Sequence, residues 1–386
     1  MWLYDKLADL PHYKVGSNIF TSKFLASIKS KELNLPMTWH FYDNVWKSFD
    51  LNSFPPGNLR EVYKQRALQL RDKYDYLVLN YSGGVDSWTV LNTFLTNKIK
   101  LDQITVRYPW KYIDKKLHNP NKENLTEFNR FSEWDFTAKP DLEKLSITHP
   151  EIKIHLQDYF EDNILLTPVN DNAFEEIHCQ YGFGSTLRGR AHRPSPFELK
   201  IMGQDKRVGV ITGVDKPRVA VKNNKFYYYF ADNPILINPY FYDSELRKME
   251  YFYWTPDFPE VLYTQLKVLY NWLLLNPQYV EYITVENLTT ATWRYYSFFI
   301  KSIIYPDWDH SRFQCEKPSY GETGLVKTRP TDYLFEQHPE IKPLTEKFHY
   351  LRKSYDPLLN PDHLYKNGEF KKFASKAYYL GDIPKG

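Results

Sequence analysis

The run Tyr76-Leu77-Val78-Leu79-Asn80-Tyr81-Ser82-Gly83-Gly84-Val85-Asp86-Ser87 decides the fold. Its first six residues are nearly continuous in apolar character, with charge on one side and glycine on the other. That pattern predicts a short strand buried on both faces. Two consecutive glycines then let the backbone turn tightly and approach another group with no Cβ in the way. A helix follows, with Trp88, Leu91, Phe94 and Leu95 on one face.

Upstream, Phe54-Pro55-Pro56-Gly57 breaks the chain. Asn58, with Glu61 three residues on, predicts a capped helix start of the capping-box kind. Leu59, Val62, Tyr63, Ala67 and Leu70 hold helical spacing up to about Tyr74-Asp75. Downstream, Ile104-Thr105-Val106-Arg107-Tyr108 reads as a second strand. Strand, loop, helix and strand make a βαβ unit, which requires a parallel sheet covered by helices.

Further along, 110–126 reads as a polar insertion or lid, and 127–147 as helical with a break at Pro140. Ile152–Leu156 is predicted as a third strand, 195–202 as a helix and Val208–Thr212 as a fourth strand. Phe226–Phe230 is expected as a strand on an edge or in a hairpin. Helical patterns dominate after 258, at 258–275, 287–303 and in pieces of 331–380. The predicted organisation is an N-terminal extension over 1–57 packed on an α/β domain over 58–245, followed by a mainly helical region over 246–386.

Composition narrows the function classes. The 386 residues carry 50 basic and 47 acidic side chains, a net charge of +3. That balance gives no global drive toward nucleic acid or an anionic membrane. No apolar run reaches the roughly 18 residues of a membrane span. The N-terminus, Met1-Trp2-Leu3-Tyr4-Asp5-Lys6, lacks the apolar stretch of a secretory signal. Two cysteines do not make a disulfide framework. A soluble cytoplasmic protein is expected. Tyr supplies 32 residues; a Tyr ring packs on its face and hydrogen-bonds at its tip, so the surplus suits both a core and a polar groove.

The glycine turn has a direct chemical use. Ser82-Gly83-Gly84-Val85-Asp86-Ser87 aims several backbone N–H groups at one spot, where the helix dipole adds positive potential. Ser82 and Ser87 can donate hydroxyl hydrogen bonds. Asp86 repels a bare phosphate, but suits a Mg²⁺ ion that bridges it to phosphates. A tight βα turn capped by Asp or Ser is the plain structural alternative.

These six residues, in this order between a strand and a helix, resemble the PP-loop of the ATP-pyrophosphatase superfamily. That group includes GMP synthetase, NAD synthetase, asparagine synthetase, argininosuccinate synthetase, tRNA-lysidine synthetase, tRNA thiolases and the sulfonucleotide reductases. The resemblance covers about 58–110 and extends more weakly to about 245. It implies a doubly wound, Rossmann-like, mostly parallel five-stranded sheet, with the C-terminal helical region appended. It implies cleavage of ATP between the α- and β-phosphates with Mg²⁺ on Asp86, pyrophosphate being held by Ser82, Gly83, Gly84, Val85, Asp86 and Ser87. Backbone near Asn80 and Val106 is expected to hold adenine. No Gly-Lys-Ser/Thr is present, so a γ-phosphate enzyme of the Walker type is excluded.

Other stretches are weaker candidates. Thr212-Gly213-Val214-Asp215-Lys216-Pro217-Arg218 follows the fourth strand, where loops line the crevice of an α/β sheet. Gly213 and Asp215 are expected near the nucleotide, and Lys216 or Arg218 as a catalytic cation at the α-phosphate. Arg188, Arg190 and Arg193 suit a phosphate, a carboxylate or a solvated loop. Lys327 and Arg329 are distant cations that a C-terminal segment can carry inward. Tyr251-Phe252-Tyr253-Trp254-Thr255-Pro256-Asp257 reads as an aromatic packing hinge, with Thr255 or Asp257 capping the next helix. The histidines show no metal-ligand spacing.

Cys179 and Cys315 are too few for a cluster-dependent thiolase, and no Cys follows Cys315 as the sulfonucleotide reductases require. The resemblance then points to an AMP-forming, ATP-dependent ligase or amidating enzyme acting on a small-molecule or macromolecular acceptor. A separate amidotransferase subunit and a homodimer are compatible with it. A sulfonucleotide-reductase-like or thiolating enzyme and a non-catalytic nucleotide-binding protein are the alternatives.

Overall fold

The computed structural model describes residues 11–20, 26, 29–30, 32–51, 54, 57–108, 134–158, 193–213, 218–230, 244–284, 299–312 and 375–383. Strands β1 (His12–Val15), β2 (Asn18–Phe20) and β3 (Met37–His40) form a small antiparallel sheet in the order β2-β1-β3. Helix α1 (Leu59–Lys73) begins where expected. The Asn58 side chain accepts from the Arg60 N–H at 2.9 Å and the Glu61 N–H at 3.4 Å. Glu61 does not close a capping box; its carboxylate accepts from the Gln65 side chain at 2.6 Å.

The quoted run forms β4 (Tyr76–Asn80), the glycine turn and α2 (Val85–Thr96). β5 (Gln103–Tyr108) follows. A π-helical turn, Trp134–Ala138, leads into α3 (Lys139–Thr148), and Pro140 sits in the first turn of that helix. Proline there removes an N–H that has no partner anyway, so it starts this helix where a break was expected. β6 (Lys153–Asp158) comes next, then α4 (Pro196–Met202) behind a capping box of Ser195 and Glu198, then β7 (Val208–Thr212).

β8 (Arg218–Lys222) and β9 (Lys225–Tyr229) are a hairpin. Its tip is Asn223-Asn224, both at positive φ (53° and 58°), as a two-residue turn of the primed type needs. β10 (Arg247–Tyr251), α5 (Glu260–Leu275) and β11 (Tyr378–Asp382) follow. β11 pairs antiparallel with β9, so the end of the stretch expected as helical pieces is a strand. Residues 299–304 are helical, as expected from the 287–303 pattern.

The main sheet has five strands in the order β10-β7-β4-β5-β6, all parallel. Counted along the chain, that is the order 3-2-1-4-5 of a doubly wound fold. Its topological switch point lies between β4 and β7. Helices cover both faces. Leu77, Leu79, Ile104, Val106 and Ile211 pack on the side of α1 and α2, in the large core. Val78, Val208 and Val210 form a smaller cluster with Ile201 and Met202 of α4 on the other side. The fifth strand, β10, lies just past residue 245 and was not legible as a strand. Its Arg247 and Glu250 are buried because they are paired: Arg247 Nε donates to Glu198 Oε2 at 2.8 Å, and Glu250 accepts from Arg66 at 3.0 Å, while Lys248 is exposed.

The N-terminal segment shares the large core, as expected of an extension packed on the main body. Phe41 meets Phe230 and Trp254, Trp46 meets Phe230, and Phe49 stacks on Tyr263 of α5 at 3.9 Å. Phe252, Tyr253 and Trp254 are fully buried, so the aromatic run is packing. Neither Thr255 nor Asp257 caps α5. The helix starts after Pro259, and the Thr255 hydroxyl accepts from the Asp257 N–H at 3.3 Å in a local turn.

Candidate functional site

The site sits at the carboxyl ends of β4 and β7, at the switch point. Gly83 has φ of +82°, the left-handed region that favours glycine. A Cβ there would lie 2.4 Å from Thr137 Oγ1 and 2.8 Å from the Ala138 N, so the turn is packed against the start of α3. The turn is also hydrogen-bonded within itself. The Ser82 N–H donates to Ser87 Oγ at 3.2 Å, the Gly84 N–H to Ser82 Oγ at 3.3 Å, and the Ser87 hydroxyl to the Gly84 carbonyl at 3.1 Å. Tyr108, at the end of β5, donates to the Ser82 carbonyl at 3.0 Å.

Gly84 is the N-cap of α2 and supplies no side-chain cap to it. The amides of Val85, Asp86 and Ser87 therefore open the helix without a capping oxygen from that position, and the first turn of any α-helix has no intrahelical acceptors for them. Such a turn fits an anion. Gly213, the residue after β7, backs directly on it. A Cβ there would come within 2.9 Å of the Asp86 carbonyl oxygen and 3.2 Å of the Ser87 N. The second candidate stretch thus meets the first at the backbone.

Asp86 is half-buried at the second position of α2. Its Oδ1 accepts from the Tyr305 hydroxyl at 2.5 Å, and its main-chain carbonyl accepts from the Tyr253 hydroxyl at 2.8 Å. Tyr253 and Tyr305 are buried, with rings 5.7 Å apart. Burial first pushes both hydroxyls well above the ordinary tyrosine range, followed by the Asp86 carboxylate for Tyr305 and by Tyr63 and then Asp86 for Tyr253, so they stay protonated donors. A single carboxylate suits a Mg²⁺ that arrives with phosphates and keeps most of its waters. Among the described residues no group of three His, Cys, Asp or Glu could hold a metal by itself.

Beside the loop, four strand ends carry a polar row. Asn80 Nδ2 donates to Thr212 Oγ1 at 3.0 Å, Arg107 donates to Asn80 Oδ1, and Arg107 Nε donates to Gln157 Oε1 at 2.8 Å. The row runs across β7, β4, β5 and β6 at their carboxyl edge, on the face opposite α2. Arg107, Gln157 and Thr212 are buried. On the other flank, Arg312 lies over the rings of Trp88 (5.5 Å) and Trp308 (5.0 Å) and donates to Asp141 Oδ2 at 2.6 Å. The same carboxylate accepts from Tyr81, whose hydroxyl is pushed up by burial and by Asp141.

The residues expected at the site divide as follows. Ser82 to Ser87, Asn80 and Gly213 come together at the switch point. Val106 is buried in β5, one position before Arg107. Arg218 is buried at the start of β8, in the antiparallel sheet rather than the parallel one. Asp215, Lys216, Arg188, Arg190, Lys327, Arg329, Cys179, Cys315 and the 110–126 insertion lie outside the described residues. Sequence reasoning missed Tyr305, Arg107 as a side chain, Gln157, Asp141 and Arg312. For Arg107 a signal existed: Gln103, Thr105 and Arg107 alternate with Ile104, Val106 and Tyr108, a polar face on a buried strand.

The chain is an α/β protein of doubly wound, Rossmann-like topology with a glycine turn at its switch point. No protein-family model matches it, and no curated protein sequence does.

Proposed function

We propose that the protein binds ATP with Mg²⁺ at the Ser82–Ser87 loop and transfers the adenylyl group to an acceptor, releasing pyrophosphate. One observation carries the reading: the glycine turn, left-handed at Gly83, sits at the switch point and opens a helix that its own N-cap leaves without a side-chain oxygen. Ligands of doubly wound sheets bind in that crevice.

In this reading, the amides of Val85, Asp86 and Ser87 and the hydroxyls of Ser82 and Ser87 bind the leaving pyrophosphate. They stabilise charge that grows as the bond between the α- and β-phosphates breaks. Asp86 holds the metal, which neutralises phosphate charge. Tyr108 and the contact of Gly83 with residues 137–138 keep the turn rigid, so little reorganisation is needed during reaction. The adenosine end lies along the carboxyl edge of β4 and β5, beside Asn80 and Arg107. Lys216 remains the proposed cation for the α-phosphate, with Asp215 next to it in sequence.

The test is product analysis with ATP labelled at the α- or the γ-phosphate, incubated with Mg²⁺ and pools of carboxylic acids, amides and tRNA. Pyrophosphate matched by an equal amount of α-label, in the adenylylated acceptor or in AMP displaced from it by a second nucleophile, supports the reading. ADP and phosphate contradict it. Binding with no turnover on any pool favours a nucleotide-sensing protein.

A further inference from the structure

We propose that Tyr305 is a positioning residue for the metal-binding carboxylate of the loop, so that the segment 299–312 sets the divalent-cation affinity of the site. The inference rests on the reading of Ser82–Ser87 as an ATP·Mg²⁺ loop. Tyr305 comes from a part of the chain more than two hundred residues away, yet its hydroxyl meets Asp86 Oδ1 at 2.5 Å. That contact fixes one carboxylate oxygen, and with it the rotation that aims the other.

Tyr305 is itself held firmly. Its ring is buried against Tyr253. The carbonyl of the preceding residue, Ile304, accepts from Tyr63 of α1 at 2.6 Å, and Tyr63 accepts from Gln265 of α5 at 2.9 Å. After it, the Trp308 N–H donates to the Tyr305 carbonyl at 3.1 Å, and the Trp308 ring packs edge-on against Trp88 of α2 at 5.3 Å. Arg312 then ties the segment to Asp141 of α3. The segment is clamped on both sides of its contact with the carboxylate. Partners that orient a metal ligand in this way change metal affinity when removed, by about tenfold or more.

Tyr253 provides the internal comparison. Its hydroxyl also reaches Asp86, but at the main-chain carbonyl, and it hydrogen-bonds the Tyr305 side chain, so it acts on the carboxylate only through Tyr305. Calorimetric titration of ATP into wild type, Tyr305→Phe, Tyr253→Phe and Asp86→Ala, repeated across Mg²⁺ concentrations and in EDTA, tests the assignment. The expected result is a Mg²⁺ midpoint raised roughly tenfold in Tyr305→Phe, with ATP affinity in EDTA unchanged and a clearly smaller rise in Tyr253→Phe. Tyr305→Phe removes one oxygen and no carbon, so the packing is retained. A wild-type midpoint in Tyr305→Phe, with metal-dependent binding lost in Asp86→Ala, overturns the role of Tyr305 alone. Equal shifts in both tyrosine variants overturn it in favour of general bracing. Wild-type protein that binds no ATP at any Mg²⁺ concentration overturns the ATP reading and this inference together.

Discussion

Replacing Gly83 by Ala tests whether the turn is locked in the shape described. Two costs add. An L-residue in the left-handed region costs about 1–2 kcal/mol, and Gly83 stands at φ +82°. The new methyl would also lie 2.4 Å from Thr137 Oγ1 and 2.8 Å from the backbone nitrogen of Ala138. Of these, only the hydroxyl can move cheaply, so an overpacking cost of about 1–3 kcal/mol applies. Together the variant should lose about 2–5 kcal/mol. Gly84→Ala is the control. Gly84 has φ −76° and ψ 161°, an ordinary extended conformation, so the change costs only the weaker N-cap, about 1 kcal/mol or less. Urea unfolding of wild type and both variants, followed by tryptophan fluorescence and far-UV circular dichroism, gives the differences. If Gly83→Ala loses no more than Gly84→Ala, the reasoning about Gly83 is refuted.

Glu250 is buried beside Arg66, Lys73 and Tyr74. Burial pushes its carboxyl up, but Arg66, Lys73 and Tyr74 outweigh it and hold the group below its ordinary 4.5. A depressed carboxyl contributes stability that is complete above pH 4.5 and is lost as pH falls through the lower folded value. The urea midpoint of wild type should therefore drop below pH 4.5, and Glu250→Gln should show a flatter profile while losing about 3–5 kcal/mol at neutral pH; an unchanged profile would contradict the pairing. Asn58→Ala removes an N-cap that accepts two N–H bonds and should cost about 1 kcal/mol in the same assay. Arg312→Ala should loosen the flank beside Trp88, read as faster amide exchange at the start of α2; exchange equal to wild type would show that the Arg312 contacts do not brace it.

The sheet was legible as far as local patterns write it. β4 and β7 are apolar runs bounded by glycine or charge, and β5 shows one apolar face, so periodicity found all three. β10 was missed because Arg247-Lys248-Met249-Glu250-Tyr251 has no apolar run, and its burial depends on ion pairs with Glu198 and Arg66 that lie far off in sequence. The loop was legible for the opposite reason: its chemistry is contiguous, six residues between a strand and a helix. Tyr305 could not be read. Nothing in Ile303-Ile304-Tyr305-Pro306 distinguishes it from the other 31 tyrosines; only the packing of α1, α2 and residues 299–312 brings it to Asp86. Pro140 was misread because proline breaks a helix interior but suits a first turn, and the boundary alone decides between them.

We propose Ser82–Ser87 as an ATP site. The most direct measurement is thermal stability with Mg²⁺ and ATP, AMP, GTP or phosphoadenosine phosphosulfate, on wild type and Asp86→Ala. A ligand at about 100 times its dissociation constant adds about 2.7 kcal/mol. At about 2.1 cal/mol/K of unfolding entropy per residue, over 386 residues, that is about 3 °C. Wild type with ATP and Mg²⁺ should show this rise, and Asp86→Ala should lose its metal-dependent part. A rise with phosphoadenosine phosphosulfate alone would transfer the site to sulfonucleotide chemistry. No rise with any nucleotide would contradict the claim and leave Gly83-Gly84 as a structural turn.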